Sequence, residues 1–364
     1  MNHEQIVALL NLQNVKGVGP QKVRHLVTFF KDPKIIFEQD RKSLCRVESI
    51  DIKSADRIRA YCSFDYGHSV VESCKKIDAR ILTFWNADYP LLLKKIYDPP
   101  PILYVLGQVI PQVEDCIALV GSRTTTAYGR SSAIKITRRL VELGLTTVSG
   151  LARGIDSVVH RETVAAGGRT IAVLGSGVDI IYPAENRKLA LDLQNNGLLL
   201  SEYPPGTKPD ARNFPQRNRI ISGLAHATVI IEAGNRSGAI LTALNAIDQN
   251  RDLFALPGRI TDKQSVGCVR LISHGAVPVT TPEMIYEGIR PRLAKPGRVI
   301  QQEIELDLTD QEREVLGLLS TDPVHIDDIA KNTNLDISHL LTILLQLELK
   351  NAVVQMSGKQ FVTA

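Results

Sequence analysis

Residues 116–123 read Cys116-Ile117-Ala118-Leu119-Val120-Gly121-Ser122-Arg123, an unbroken apolar run closed by a glycine, a hydroxyl and an arginine. A strand covered on one face alternates apolar with polar residues, whereas an unbroken run marks a strand covered on both. An amphipathic helix is expected from there to about Leu143, and the alternation then repeats. Thr146–Ser149 precedes a helix from about Asp156. Thr170–Leu174 ends in Gly-Ser-Gly before a helix around Asn186–Asn195, and Leu198–Leu200 follows. Val229-Ile230-Ile231 leads into another helix, and Leu253-Phe254-Ala255-Leu256 ends at Pro257-Gly258. Short apolar strands, each passing through a glycine-containing loop into a helix, predict a doubly wound α/β domain built on a parallel sheet.

Sheets of this Rossmann-like kind take ligands beyond the carboxyl ends of their strands. The candidate loops are therefore 121–126, 149–156, 175–179, 203–218, 233–238 and 257–267, rich in glycine, hydroxyls and arginine. That chemistry suits phosphate oxygens. No GxGxxG with a downstream acid follows the first strand, which disfavours a dinucleotide cofactor, and no GxxxxGK[ST] marks a P-loop. No cofactor and no metal site are expected, and no catalytic residue is assigned.

Toward the N-terminus, apolar positions Ile6, Leu9 and Leu10, then Val23, Leu26 and Val27, read as two helices around Val15-Lys16-Gly17-Val18-Gly19-Pro20. Two glycines and a proline make a tight turn that starts a helix. Helix–GVGP–helix resembles the helix-hairpin-helix (SAM-like) module, whose turn offers backbone N–H groups to a DNA phosphate, here with Lys16, Lys22 and Arg24; such modules also pack or contact protein. Toward the C-terminus, residues 291–307 mix Pro, Gly and charge as a linker. Helices are then expected over Thr309–Leu319, Val324–Lys331 and Asp336–Leu349, with Asp336 as a cap. A hairpin over Val353–Met356 and Gln360–Val362, turning at Ser357-Gly358, completes a winged-helix pattern. The domain reading is 1–80 helical, 81–290 Rossmann-like, 291–307 linker and 308–364 winged helix.

The 364 residues carry a formal charge of +4. It is unevenly spread: residues 116–290 hold 20 basic and 14 acidic side chains, residues 308–364 hold 4 and 8. A polyanion is therefore better received by the middle of the chain, and the acidic wing, whose third helix has no arginine, reads as a protein-contact or packing module. Five cysteines without a CxxC pair argue against a disulfide framework or zinc ribbon and for a reducing, cytoplasmic setting. No apolar run is long enough for a membrane span, and no secretory signal is expected.

Four motifs in the middle region then resemble the DNA-processing protein A (DprA, or Smf) family. They are Val120–Arg123 with Tyr128-Gly129, Ser149–Asp156 (SGLARGID), Phe214–Leu224 (FPQRNRIISGL), and Glu232-Ala233 with Arg236-Ser237-Gly238. The resemblance implies a single-stranded DNA-binding recombination mediator of natural transformation that protects incoming DNA and loads RecA. It implies weaker binding of double-stranded DNA, a homodimer, and single-strand binding protein as a further candidate partner.

The residues themselves agree in chemistry. Arg123 closes the first strand, where its fork suits a phosphate; the competing reading is a salt bridge to Asp156 or Glu232. Phe214, beside arginines in a polar loop, suits base stacking or simply anchors its loop. Arg217 and Arg219 flank Asn218 at an expected helix start, where Asn218 either caps the helix or touches a base. Two residues apart, the arginines face different ways, so at least one is open to a structural role. Ser237 before Gly238 donates to phosphate or caps a helix. Gly121, Gly150, Gly154 and Gly238 allow sharp turns or close approach. Asp156 reads as a cap and His160 as a hydrogen-bonded structural histidine. The candidate DNA-binding set is Gly121, Ser122, Arg123, Arg153, Lys208, Arg212, Phe214, Arg217, Asn218, Arg219, Ser237 and Gly238.

Departures from the family pattern stand at Ala211, where relatives often carry a lysine and Lys208 and Arg212 are the candidate substitutes, at Ala184, and at Val269. The alternative reading is a Rossmann-like nucleotide phosphoribohydrolase. Its PGGxGTxxE signature is met only by Glu232-Ala233-Gly234-Asn235-Arg236-Ser237-Gly238, without the glycine pair and the later glutamate.

Overall fold

The computed structural model describes residues 1–108, 115–259, 261–293, 309–319, 324–333, 335–350, 352–356 and 359–363. The chain falls into two compact units, Met1–Leu293 and Ala294–Ala364.

The first unit is organised by a sheet of nine described strands: β1 (Arg80–Thr83), β2 (Ile102–Gly107), β3 (Cys116–Gly121), β4 (Thr146–Ser149), β5 (Thr170–Leu174), β6 (Gly197–Ser201), β7 (Ala227–Glu232), β8 (Asp252–Ala255) and β9 (Val277–Pro278). Their order is β1-β2-β6-β5-β4-β3-β7-β8-β9. From β6 to β9 every pairing is parallel. β1 and β2 add an antiparallel edge that the sequence reading did not include.

The apolar run at β3 explains the layering. Ile117 and Leu119 pack with Ile136, Ile155 and Val159 on one face, while Cys116, Ala118 and Val120 pack with Ile220, Ile221 and Ala243 on the other. Helices Ala127–Glu142, Ile155–Ala165 and Pro282–Leu293 thus cover one side, and Asn213–Gly223, Gly238–Asp248 and Val266–Ser273 the other. β4 lies on one side of β3 and β7 on the other, so strand order reverses at β3. The loops leaving β3 and β7 part there and open a crevice. A register shift between Val120 and Gly121 against β7 sits at its mouth, where bulges commonly re-aim side chains.

The N-terminal helices His3–Asn14 and Pro20–Phe30 meet at the expected turn, with Gly17 at φ 83°. The same turn recurs at Val47–Asp51, with Ser49 at φ 70°, leading into helix Ile52–Arg59. Val18 N–H donates to Val15 O in the first turn and Ile50 N–H to Val47 O in the second. The hairpins exchange side chains: His25 Nδ1 donates to the carbonyl of Glu48 (3.1 Å), and Arg57 Nη1 to that of Lys16 (3.1 Å). Buried Val15, Val18, Leu26, Val47, Ile50 and Ile58 share one cluster with Ile102 and Tyr104 of β2.

The second unit holds helices Asp310–Gly317, Ile326–Thr333 and Ile337–Leu349 and a sheet β10 (Val324–His325), β11 (Val353–Met356) and β12 (Gln360–Thr363), ordered β10-β12-β11. Thr309 and Glu312 form a capping box, and Asp336 caps the third helix. Val324 and His325 are strand, pairing with Phe361 and Gln360, rather than the start of the second helix. Helix Pro282–Leu293 runs through residues 291–293, assigned above to the linker; residues 294–307 and the Ser357-Gly358 turn lie outside the described residues. The third helix exposes Ile337, Leu341 and Leu345, an apolar face where a DNA-reading helix would carry cations.

Candidate nucleic-acid interface

The crevice beyond β3 and β7 is an open cleft of about 770 Å³. Three segments supply most of its lining. The loop after β3 contributes Ser122, Arg123 and Thr124. The loop after β7 contributes Gly234, Arg236 and Ser237, and helix Asn213–Gly223 contributes Phe214 and Asn218. A smaller recess of about 180 Å³, lined by Arg123, Arg153, Tyr182 and Phe214 among others, adjoins it.

The local conformation of each wall follows from a few residues. Thr126 caps helix Ala127–Glu142 by accepting from Gly129 N–H (3.0 Å), so the preceding loop is released at the end of β3. Gly154, at φ 79°, passes so close to this loop that a Cβ would lie 2.2 Å from Ser122 O. Gly121 leaves room for Ile155, whose Cγ1 would be 2.6 Å from a Cβ there. Ser122 Oγ lies 2.7 Å from Thr124 O and 3.1 Å from Gln264 Oε1, its one proton shared between them, which closes the loop and ties it to segment 257–267.

Arg123 is exposed and forms no ion pair among the described residues. Its competing partners are occupied: Asp156 accepts from Gly150 N–H (3.1 Å) and Ala152 N–H (3.4 Å), and Glu232 from Thr126 N–H (3.2 Å). The Arg123 guanidinium lies 5.8 Å from the centroid of Phe214, within cation–π range. The Phe214 ring is half-buried, 5.7 Å from Tyr182, and rests against Gly175, where a Cβ would come within 3.0 Å.

Helix Asn213–Gly223 starts earlier than the sequence suggested. Pro215 falls in its first turn, where a missing N–H costs nothing. Asn218 is therefore an interior helical residue rather than a cap, and its Nδ2 donates to Gly238 O (3.4 Å). Arg217 is 3% exposed; its Nη1 donates to Gly150 O (2.7 Å) and also to Val173 O. Burial pulls its pKa down to about 10 even with Asp156 beside it. Arg219 turns from the cleft onto Glu202 (2.5 Å) and Asp98 (3.8 Å), and Asp98 also faces Arg24 (3.8 Å). Arg217 is thus buried with Nη1 on backbone carbonyls, although it still counts among the residues lining the cleft, and Arg219 is engaged by carboxylates.

The remaining candidates divide. Ser237 is the N-cap of helix Gly238–Asp248, accepting from Ala239 N–H (3.3 Å), and lines the cleft together with exposed Gly238. Arg153 borders the smaller recess and pairs with Glu185 (3.0 Å). Lys208 and Arg212 are exposed but outside the lining, and Arg212 pairs with Asp210 (2.9 Å). Ala211, where relatives often carry the lysine, itself lines the cleft. Exposed Arg236, quoted in a motif but left out of the candidate set, lies in the wall, as do Thr124 and Gln264. Its place in the loop after a switch-point strand was the available signal.

Asp156 lines the cleft at the top of a polar core. Asp156 pins loop 150–152 rather than capping its helix, whose N-cap is Gly154; burial raises its pKa. His160 bonds Thr170 Oγ1 through Nδ1 (2.7 Å), and burial pushes its pKa down to about 3. In the helical module Lys22 bonds Ser54 (2.7 Å) and Asp51 (3.2 Å), and Arg24 bonds Tyr97 O (3.3 Å), so two of the three cations named at the first turn are engaged internally, while Lys16 is exposed. Among the described residues no group of three His, Cys, Asp or Glu could hold a metal, the five cysteines are free, and no helix is long and apolar enough to cross a membrane.

Fold and cleft define a class: doubly wound α/β proteins with a ligand crevice at the switch point of the sheet. Within it, the family described as DNA recombination-mediator protein A matches residues 80–290, a DprA winged helix domain matches 301–359, and a SAM-like helix-hairpin-helix tandem matches 9–62. The chain belongs to this DprA family. It is 34% identical to protein Smf of Synechocystis sp., over 95% of this chain and 96% of the relative. The structure of DprA from Streptococcus pneumoniae superposes with a TM-score of 0.68 at 31% identity, covering 79% of this chain and 98% of that one. DprA from Helicobacter pylori, whose structure concerns its single-stranded DNA binding mode, superposes with a TM-score of 0.52 at 28% identity, covering 58% and 96%.

Proposed function

We propose that the chain is a single-stranded DNA-binding recombination mediator that grips an unpaired strand in the cleft beyond β3 and β7. The observation that carries this is the pairing of an exposed, unsalted Arg123 with the half-buried ring of Phe214 at one rim. A guanidinium beside an aromatic face is the combination a flexible strand needs, phosphate for the cation and a base for the ring, and the ring prefers no particular base. Thr124, Ser237, Gly238 and Arg236 extend the polar wall along the cleft. Duplex DNA, with its bases already stacked, binds more weakly.

Family membership supports the remaining parts of this reading. The protein protects incoming DNA in natural transformation, loads RecA onto it against single-strand binding protein, and acts in the cytoplasm as a homodimer with modules 1–80, 81–290 and 308–364. Leu241, Leu244 and Ile247, 45%, 48% and 51% exposed along helix Gly238–Asp248, supply an apolar stripe suited to a second copy. It needs no cofactor and performs no reaction. The glutamate that ends the phosphoribohydrolase signature has no counterpart here, and Glu232, at the start of the comparable stretch, is buried against the start of helix Ala127–Glu142.

Fluorescence anisotropy with matched single- and double-stranded oligonucleotides across a salt series tests the core of this. Tight, salt-dependent binding of the single strand is expected; equal affinity for both forms, or no binding, would overturn it. RecA nucleation on strands coated with single-strand binding protein tests the mediator role, sedimentation tests the dimer, and release of adenine from AMP would revive the enzyme.

A further inference from the structure

We infer that Arg217 is a positioning residue, a buried guanidinium that sets the stacking ring of Phe214 without itself meeting nucleic acid. This deepens the proposed function and rests on it.

The argument begins with the helix. Phe214 and Arg217 are three apart, so both side chains leave the same face of Asn213–Gly223. Phe214 reaches the cleft, and Arg217 passes beneath it, 5.9 Å from the ring centroid to the guanidinium carbon. There Nη1 is committed to the carbonyls of Gly150, just past β4, and Val173, in β5. The guanidinium therefore bridges the ends of two neighbouring strands to the helix that bears the ring.

The slot is shaped for it. A Cβ on residue 150 would stand 2.6 Å from Nη1 and 2.8 Å from the guanidinium carbon, so only glycine admits the group. Buried Asp156 favours its charge at longer range, without a direct ion pair, and holds the N–H groups of Gly150 and Ala152. A buried cation left without such a partner would be strongly destabilising. With Gly175 and Tyr182 against the ring as well, Phe214 is held from several sides. Arg123 and Arg217 thus flank one ring with different duties, the first exposed and without an ion pair, the second buried with Nη1 held by two carbonyls.

The test uses the full chain with an oligothymidylate carrying 2-aminopurine, whose fluorescence falls when the base stacks. For Arg217→Met, affinity falls about tenfold and the quenching at saturation drops toward that of Phe214→Ala, while the slope of log affinity against log salt stays at the wild-type value. Arg123→Ala gives the converse: quenching is kept and the slope falls by about 0.7, one phosphate on a single strand. Gly150→Ala keeps the charge but crowds its seat, and reproduces the loss of quenching; Arg217→Lys, too short to bridge both carbonyls, does the same. These two decide the matter if Arg217→Met fails to fold by circular dichroism. Wild-type quenching in the Arg217 and Gly150 variants would overturn the inference, as would an Arg217→Met slope reduced like that of Arg123→Ala. If wild-type protein binds without quenching, or Phe214→Ala quenches fully, the stacking site itself is wrong and the inference falls with it.

Discussion

Replacing Arg123 by alanine removes a cation that the folded chain does not use for its own stability. It is exposed, without an ion pair among the described residues, and touches the fold chiefly through the face of Phe214. Loss of such a side chain changes unfolding free energy by no more than about 0.5 kcal/mol. The effect on binding is larger. A hydrogen bond to a charged group contributes about 1.5–3 kcal/mol, and the exposure of Arg123 places it at the lower end. Taking about 1.5 kcal/mol, affinity for a single-stranded oligonucleotide falls about tenfold or more at fixed salt. The slope of log affinity against log salt becomes shallower by about 0.7. Arg123→Lys keeps the charge and hence the slope, but gives up the fork and part of the affinity. Anisotropy titrations at several salt concentrations, with a urea melt of each variant, separate these contributions. Unchanged affinity and slope in a folded Arg123→Ala protein would refute the role given to this residue.

Other outcomes follow from the supporting structure. Gly154→Ala forces a side chain into a positive-φ position and against Ser122 O, so it should cost about 2–4 kcal/mol by urea unfolding and weaken DNA binding by moving the Arg123 loop; a loss under about 0.5 kcal/mol would contradict the close approach. His160 is held neutral, its pKa lowered from 6.5 to about 3. In that interval the unfolded chain binds a proton the native one refuses, so this contribution to stability is intact above pH 6.5 and declines as pH falls toward 3. His160→Gln should flatten the pH dependence of the urea midpoint there, and an identical profile would reject the assignment. In the second unit, Lys350 and the capping box hold the Glu312 carboxyl below its ordinary 4.5. That stabilisation is present above pH 4.5 and disappears as pH drops through the lowered value. Hydrogen exchange in helix Ile337–Leu349 should therefore quicken on acidification in wild type and much less so in Glu312→Gln.

The parallel part of the sheet was legible because most strands from β3 to β8 are buried on both faces and show it as apolar runs, while Thr-Thr-Val-Ser of β4 was read from its place in the alternation. β1, Arg-Ile-Leu-Thr, is an edge strand with exposed Arg80, and β9 is only Val277–Pro278. Neither has a periodicity long enough to read, and Ile102–Gly107 follows three prolines that suggest a loop. At the cleft, Arg123, Ser237 and Gly238 were identifiable from their places after strands and beside glycines, and Phe214 as an aromatic beside arginines. The fates of Arg217 and Arg219 were not, because they depend on the phase of the helix. Reading its start near Asn218 instead of at Asn213 turned every side chain to a different bearing. Sequence spacing said that the two arginines diverge; only the strand ends and Glu202, far off in sequence, say which way.

The crossed bonds of the helical module carry a mechanical consequence. Since the helix of each hairpin grips the bend of the other, through His25 on Glu48 and Arg57 on Lys16, neither bend is free to fray alone. The two halves open together or not at all, a lock in which each key is cut into the opposite door. Slow amide exchange should accordingly switch off across residues 15–58 at one denaturant concentration rather than in two steps.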